Sequence, residues 1–321
     1  MLRETPVTFV LPNYRGRPLL ERFLPTILEA ASQPGLDASV LVVDDASPDD
    51  SVEFIRRHFP TVNLLMLRRN VGFARAVNAG VHAAATDLVL LLNTDVAVEP
   101  EFLPPLLEAM EDSQVFAAVP RIRRPAAGGT AESAISATFE RGLFRLRFLG
   151  DAPFQEHDTP FPTLYPVGAA ALIRRPLFLQ LGGMDPLFRP YYWEDADLGY
   201  RAWKAGYQVL CVPSSRVDHH AGIISATQSK RRVALAQSAH RFLFTWKNIH
   251  DPAWTASHWA LLVPHCIESV RRGQVEFARS LVAALPRLPE ALRARLQARR
   301  QARVSDREVL RLADPGGLQM G

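Results

Sequence analysis

The stretch "SVLVVDDASPDDSVEFIRRHF", residues 39–59, passes from a continuous apolar run into two aspartates and then into a polar segment of helical periodicity. A run of strand length that is apolar at every position, without alternation, suits a strand covered on both faces. Ser47 is placed to cap the following helix, with Pro48 in its first turn. The strand therefore delivers Asp44 and Asp45 at its C-terminal end.

The pattern repeats outward. "VTFVLPNY" (7–14) reads as an earlier strand, and "RPLLERFLPTILEAASQ" (17–33) as a helix stopped by Pro34-Gly35. "VNLLML" (62–67), the small-residue helix "GFARAVNAGVHAAA" (72–85) and "DLVLLLNTDV" (87–96) continue the alternation, followed by a helix over 99–112 and a strand at 115–122. Residues 124–163 read as irregular, rich in Gly, Pro and aromatics. Strands are expected at 167–175 and 207–213, the second preceded by a helix that Gly206 ends, and everything beyond about residue 230 reads as helical. Strand-helix alternation of this kind predicts an α/β fold, a mostly parallel central sheet flanked by helices, with a C-terminal helical extension. We place a catalytic domain at 5–228 and an Arg-rich helical extension at 229–321.

Of 321 residues, 48% are apolar and 22% charged, as in folded globular chains. The N-terminal apolar run before Pro12 is only five residues, short for a signal or a span, and "WALLVPHCI" is broken by Pro264 and His265. A cytoplasmic location is the expectation. Cys211 and Cys266 lack metal or disulfide spacing. The net charge of +4 is uneven: residues 271–304 hold nine arginines against Glu276 and Glu290, a local +7 that leaves −3 elsewhere. That argues against a nucleic-acid surface on the main domain.

Open parallel sheets bind ligands beyond the C-terminal ends of their strands. Three such ends are polar: Asn13-Tyr14, Asp44-Asp45 and Asn93-Thr94-Asp95. No Gly-rich dinucleotide fingerprint or phosphate loop accompanies them. Carboxylates suit a metal-bridged diphosphate or the hydroxyls and imide of a nucleoside, and Asp95 beside a diphosphate suits a hard divalent cation. "VDHHAG" (217–222) offers His219 and His220, either a further ligand or a solvated loop pair. "PYYWEDADLGYR" (190–201) packs Glu194, Asp195 and Asp197 behind three aromatics, an acidic helix start or a working site.

In their order, "VVDDASPDDS", "NVGFARAVNAG", "LLNTDVAVEP", "GGMDPLFRPYYWEDADLGYR" and "VDHHAG" resemble the GT-A-fold (Rossmann-like) glycosyltransferases of family 2, in particular the bacterial rhamnosyltransferase-like branch, over residues 6–225. The resemblance implies inverting sugar transfer from a nucleoside-diphosphate donor, with Mn²⁺ or Mg²⁺ on the diphosphate. By position it puts Pro12, Asn13 and Asp44 at the nucleoside with Asp45 adjacent, and Arg75 in the stretch closing over the base. Asn93, Thr94 and Asp95 match the metal-binding motif. Asn93 stands where the pattern has an aspartate, leaving Asp95 as the main ligand. His219, three residues before Gly222, matches the late metal ligand better than His220. Asp195 is the implied catalytic base, with Glu194 orienting it or holding acceptor hydroxyls.

Asp197 reads as a helix-start charge. Tyr191, Tyr192 and Trp193 read either as a stacking wall for a sugar or as core. The acceptor implied is a glycan or lipid-linked hydroxyl in cell-envelope polysaccharide synthesis, with rhamnose the branch's commonest donor sugar. Leu288, Leu292 and Leu296 stripe an Arg-rich helix, which either contacts the inner membrane surface through 271–304 or packs on the catalytic domain. Two other classes compete with an active transferase. One is a non-catalytic sugar-nucleotide-binding or scaffold protein, hinted at by Asn93. The other is a nucleotidyltransferase, against which the single glycine of "PNYRGRP" counts.

Overall fold

The computed structural model describes residues 5–220 and 229–316. β1 (Val7–Asn13), α1 (Arg17–Ala31), β2 (Ala38–Asp44), α2 (Ser51–His58), β3 (Asn63–Met66), α3 (Phe73–Ala83) and β4 (Leu88–Leu92) alternate as expected. These strands run parallel in the order β3-β2-β1-β4, and the register sets Asn13 beside Asp44. The small residues of α3 have a packing cause: a Cβ on Gly80 would lie 2.4 Å from Val10 and 2.7 Å from Val43, so glycine lets the helix settle on β1 and β2.

The chain continues through β5 (Val96–Val98), α4 (Leu103–Ala109), β6 (Val115–Arg124), β7 (Thr130–Ala131), β8 (Ile135–Glu140) and β9 (Leu143–Phe148). Next come α5 (Ala152–Glu156), β10 (Phe161–Pro162), β11 (Ala170–Arg174), α6 (Arg175–Gln180), α7 (Glu194–Lys204) and β12 (Gln208–His219). β11 inserts antiparallel between β4 and β6, and β12 lies parallel to β6. β10 and β5 pair with β12 and β7 with β6, completing a ten-stranded, mostly parallel sheet among the described residues. Helices α8 (Lys230–Asn248), α9 (Pro252–Arg271), α10 (Glu276–Ala284), α11 (Leu288–Gln301) and α12 (Asp306–Leu312) follow.

Three local expectations are corrected. Residues 124–163 hold regular elements, chief among them β8 and β9, an antiparallel hairpin whose turn residues Arg141 and Gly142 have φ of 49° and 74°. That is the left-handed pair a two-residue hairpin turn demands. Arginine in place of Asn or Asp hid the turn signal. The strand expected to end at residue 213 continues as β12 to His219, with a register shift between Val212 and Arg216. Ser47 does not cap α2, which begins at Ser51; its hydroxyl serves the site instead.

The C-terminal helices bury Phe242, Phe244, Ala284, Ala291 and Val309 in the same hydrophobic core as the sheet. Phe139 of β8 stacks on Trp254 of α9 with centroids 4.6 Å apart, and Phe244 of α8 meets Phe144 at 4.6 Å and Tyr200 at 5.2 Å. Asp306, buried at the start of α12, accepts from the Tyr200 hydroxyl at 2.8 Å and from Lys204 Nζ at 2.7 Å.

Candidate active site

At the C-terminal ends of β1 and β2, a small network fixes the first polar cluster. Asn13 Nδ2 donates to Asp44 Oδ1 at 3.0 Å and to Ser47 Oγ at 3.2 Å, and the Ser47 amide donates to Asp44 Oδ2 at 3.0 Å. Both Asp44 oxygens are thus engaged within the protein. Asn13 Oδ1 is buried with no protein partner, an acceptor left for a ligand or water. Asp45 turns the other way: Oδ1 accepts from the Val71 amide at 2.7 Å and Oδ2 from the Gly72 amide at 2.9 Å. Burial raises its pKa against those two bonds. Asp45 therefore holds the 70–72 loop that launches α3. Arg75 is exposed in the first turn of α3, two residues beyond Phe73. Pro12 is half-buried in β1 beside Val43 of β2.

After β4 the chain turns, with the Asn93 amide donating to the Ala169 carbonyl at 2.9 Å, and Thr94 and Asp95 are buried behind it. Pairing of β5 with β12 aligns Val96 with His219 and brings the distant histidine to Asp95. His219 Nε2 stands 3.4 Å from Asp95 Oδ1, and its Nδ1 lies 2.5 Å from Glu132 Oε1. Burial works to depress the imidazole pKa, but the two carboxylates overcome it and lift it to about 9. His219 is thus a strand-end residue gripped from both sides, and the expectation of a loop pair is superseded. Gly222 lies outside the described residues.

The acid pair opens α7. Asp195 Oδ2 accepts from the Gly168 amide at 3.2 Å and Oδ1 from the Ala196 amide at 2.8 Å. Burial raises the Asp195 pKa against these bonds, with Glu132 adding to the rise. Glu194 is buried with Oε2 unpartnered, and burial followed by the neighbouring Asp195 pushes its carboxyl well up. Glu132 touches His219, and the bonds from Asn93 to Ala169 and from Gly168 to Asp195 bring the two halves of the site to one stretch of backbone. Trp193 packs against Phe244 at 5.1 Å and Phe144 at 6.3 Å, while Tyr191 and Tyr192 form an edge-on pair at 5.0 Å. Asp197 is fully buried, bonded to Arg201 at 2.8 Å, Asn248 at 2.8 Å and Lys247 at 2.7 Å. Sequence reading missed Glu132, Gly168 and the bridging use of Ser47. Only Ser47 carried a signal, as the polar residue ending the turn after Asp44-Asp45.

The sequence profile described as Glycosyl transferase family 2 matches residues 8–182. The chain belongs to this family. It is a family 2 glycosyltransferase, 31% identical over 245 residues to an N-acetylglucosaminyl-diphospho-decaprenol L-rhamnosyltransferase of Mycobacterium tuberculosis, covering 67% of this chain and 77% of that one. It is 26% identical over 229 residues to polypeptide N-acetylgalactosaminyltransferase 10 of Mus musculus, covering 67% of this chain but spanning only 38% of the mouse enzyme. Among solved structures it resembles GalNAc-T7 with UDP, GalNAc and Mn²⁺, at a TM-score of 0.63 and 19% identity over 81% of this chain and 51% of that chain. It also resembles the mannosyltransferase PcManGT of Pyrobaculum calidifontis in complex with GDP-Man and Mn²⁺, at a TM-score of 0.56 and 18% identity over 98% of this chain and 87% of that chain. The family 2 chain thus has the GT-A fold.

Proposed function

We propose that the protein is an inverting glycosyltransferase that moves a sugar from a nucleoside-diphosphate donor to a hydroxyl of a glycan or lipid-linked acceptor, with residues 5–228 as its catalytic unit and 229–321 as a helical extension. One observation carries this reading. The Asn93 amide bonds the Ala169 carbonyl and the adjacent Gly168 amide bonds Asp195 Oδ2, so the Asp95-His219 pair and the Asp195-Glu194 pair flank one stretch of backbone, a donor-holding side next to a base. Incubation with a panel of nucleotide sugars and Mn²⁺, read as released nucleoside diphosphate, tests it. Neither release nor binding across the panel would sink it, and binding without release would favour the scaffold reading instead.

Asn13, Asp44 and Pro12 would line the nucleoside with Asn13 Oδ1 as the open acceptor, and Asp45 would set the loop that carries Arg75 over the base. Among the described residues no group of three His, Cys, Asp or Glu side chains is set to hold a cation. The donor set still fits one shared with substrate, because Mg²⁺ and Mn²⁺ sites of this class take one or two protein ligands and fill the rest from phosphates. Asp95 and His219 Nε2 would be those ligands, with Asn93 and Thr94 shaping the turn. Bound there, the cation neutralises charge on the departing diphosphate. Glu132, on the far ring nitrogen, would orient His219. Asp95→Ala is expected to weaken both donor affinity and Mn²⁺ affinity in calorimetric titrations, and Glu132→Gln to weaken Mn²⁺ affinity by about 10- to 100-fold.

Asp195 takes the acceptor's proton as its oxygen attacks the anomeric carbon opposite the diphosphate, and Glu194 lies on the acceptor side. In line with the likeness to the mycobacterial rhamnosyltransferase, we propose a rhamnosyl donor and a polyprenyl-diphosphate acceptor; a role in cell-envelope polysaccharide synthesis at the cytoplasmic face of the membrane is part of the same proposal.

No helix among the described residues is long and apolar enough to cross a membrane. Yet Trp259, Val263, Ile267 and Val270 are exposed at helical spacing along one face of α9, which runs into Arg271 and Arg272. Leu292 and Leu296 are exposed on α11, whereas Leu288 packs against the core. An apolar stripe beside arginines suits the surface of an anionic bilayer. Replacing Trp259 and Ile267 with serine is expected to reduce co-sedimentation with phosphatidylglycerol vesicles, and unchanged pelleting would remove the membrane contact.

A further inference from the structure

The segment between Pro186 and Glu194 reaches the acid pair through an unfavourable backbone. Tyr192 and Trp193 have φ of 72° and 82°. Side chains of this bulk rarely occupy the left-handed region, and they stay there only where surrounding contacts over-determine them. Several bonds to this segment's carbonyls come from side chains of the C-terminal helices. His240 of α8, 3% exposed, meets the Tyr192 carbonyl through Nδ1 at 3.0 Å. Arg287, just before α11, approaches His240 Nε2 with Nη1 at 3.5 Å and also donates to the carbonyls of Arg189 at 3.2 Å, Pro186 at 3.4 Å and Leu187. A carbonyl only accepts and a guanidinium only donates, so the chemistry fixes the imidazole tautomer: Nδ1 carries the proton and Nε2 is the acceptor. Phe188 meets the same imidazole edge-on, with ring centroids 5.8 Å apart.

We infer that His240 and Arg287 are positioning residues: the C-terminal helices reach back through them to hold residues 186–193 in the strained course that sets Asp195 against Gly168. Neither side chain meets Glu194 or Asp195 directly; they act through the Tyr192 carbonyl and its neighbours. The extension is thereby part of the catalytic apparatus as well as part of the core. Misplacement of a reacting group by about 1 Å can cost on the order of a hundredfold in rate, so a hinge of backbone carbonyls three residues away is sufficient leverage.

The proposal rests on Asp195 as the base, and the test separates the two. His240→Ala, His240→Asn, Arg287→Lys and Asp195→Asn are assayed in the full-length protein with the nucleotide sugar that the panel selects, reading nucleoside-diphosphate release, KM for that donor, melting temperature and the pH profile of kcat/KM. Positioning predicts that His240→Ala lowers kcat by about tenfold or more with donor KM unchanged and melting close to wild type. Its acidic limb moves toward ordinary carboxylate values as Asp195 leaves its buried seat. His240→Asn, whose amide nitrogen can still donate to the Tyr192 carbonyl, restores most of kcat. Arg287→Lys, which cannot serve several carbonyls at once, lowers kcat in the same way. Should His240→Ala not fold, the Asn and Lys variants decide alone. Wild-type kcat and an unmoved acidic limb in folded His240→Ala or Arg287→Lys protein, beside an inactive Asp195→Asn, overturn the positioning role only. An active Asp195→Asn enzyme overturns the base assignment and the proposal with it.

Discussion

Replacing Asp195 with asparagine is expected to abolish sugar transfer while leaving donor affinity within about twofold of wild type, as befits a group that acts in the transition state. Asparagine preserves size and can still accept from the Gly168 amide, so the 3.2 Å contact that seats the side chain survives while the basic oxygen is lost. General-base assistance is commonly worth about 10²- to 10⁴-fold, which sets the scale of the loss. The pH dependence has a definite sign. Burial raises the Asp195 carboxyl above its ordinary value, against the Gly168 and Ala196 amides. The base works only when ionised, so kcat/KM should fall as pH drops through that raised value, at a higher pH than for an exposed aspartate. Because Glu194 sits beside it with its own carboxyl pushed up, the limb reports the pair rather than either acid. Calorimetric donor titration with a transfer assay across pH checks both parts. Near wild-type turnover in Asp195→Asn would show the base to lie elsewhere.

The largest effect on stability should come from Asp197→Ala. This carboxylate is completely buried and answers three donors from two helices: Arg201 on its own helix, and Lys247 and Asn248 on α8. Lys247 is shared with Asp185 at 2.6 Å, and Arg201 also donates to the Leu181 and Gly183 carbonyls at 2.6 and 2.7 Å. Removing the anion leaves two buried cations without their common partner, a loss of about 3–5 kcal/mol for a broken buried pair. Urea unfolding followed by circular dichroism measures it. Burial alone would raise the Asp197 carboxyl, but Arg201 and Lys247 outweigh burial and hold it below its ordinary value of 3.8. Its contribution is therefore complete above that ordinary value and fades as pH falls through the lower folded one. Acid sensitivity below pH 3.8 should accordingly be blunted in the variant. A loss under 1 kcal/mol, within the range of an exposed pair, would contradict this account.

How much was legible differs between neighbouring residues of one motif. In "EDAD", helical spacing and the acidic start announced α7, and the family pattern singled out Asp195. The same first-turn argument made Asp197 a helix-start charge, whereas it is the most buried of the three acids. Local periodicity reports the helix a residue sits in; it carries no information about Lys247, fifty positions away. Glu132 was illegible for the same reason. It lies in a stretch without strong periodicity, and only the pairing of β6, β7 and β12 brings it to His219. The hairpin of β8 and β9 was hidden by the arginine in its turn.

By itself, the sequence determined the alternation of strands and helices, the polar strand ends at Asn13, Asp44 and Asp95, and membership of the family, because each is a property of short windows or of their order. Tertiary structure alone decided that Asp45 holds a loop, that Glu132 meets His219, and that His240 and Arg287 grip the segment leading to Asp195. Those facts depend on groups far apart in the chain sharing a buried space, where an unpaired charge or carbonyl is costly, and that cost is set by the folded surroundings rather than by neighbours in sequence.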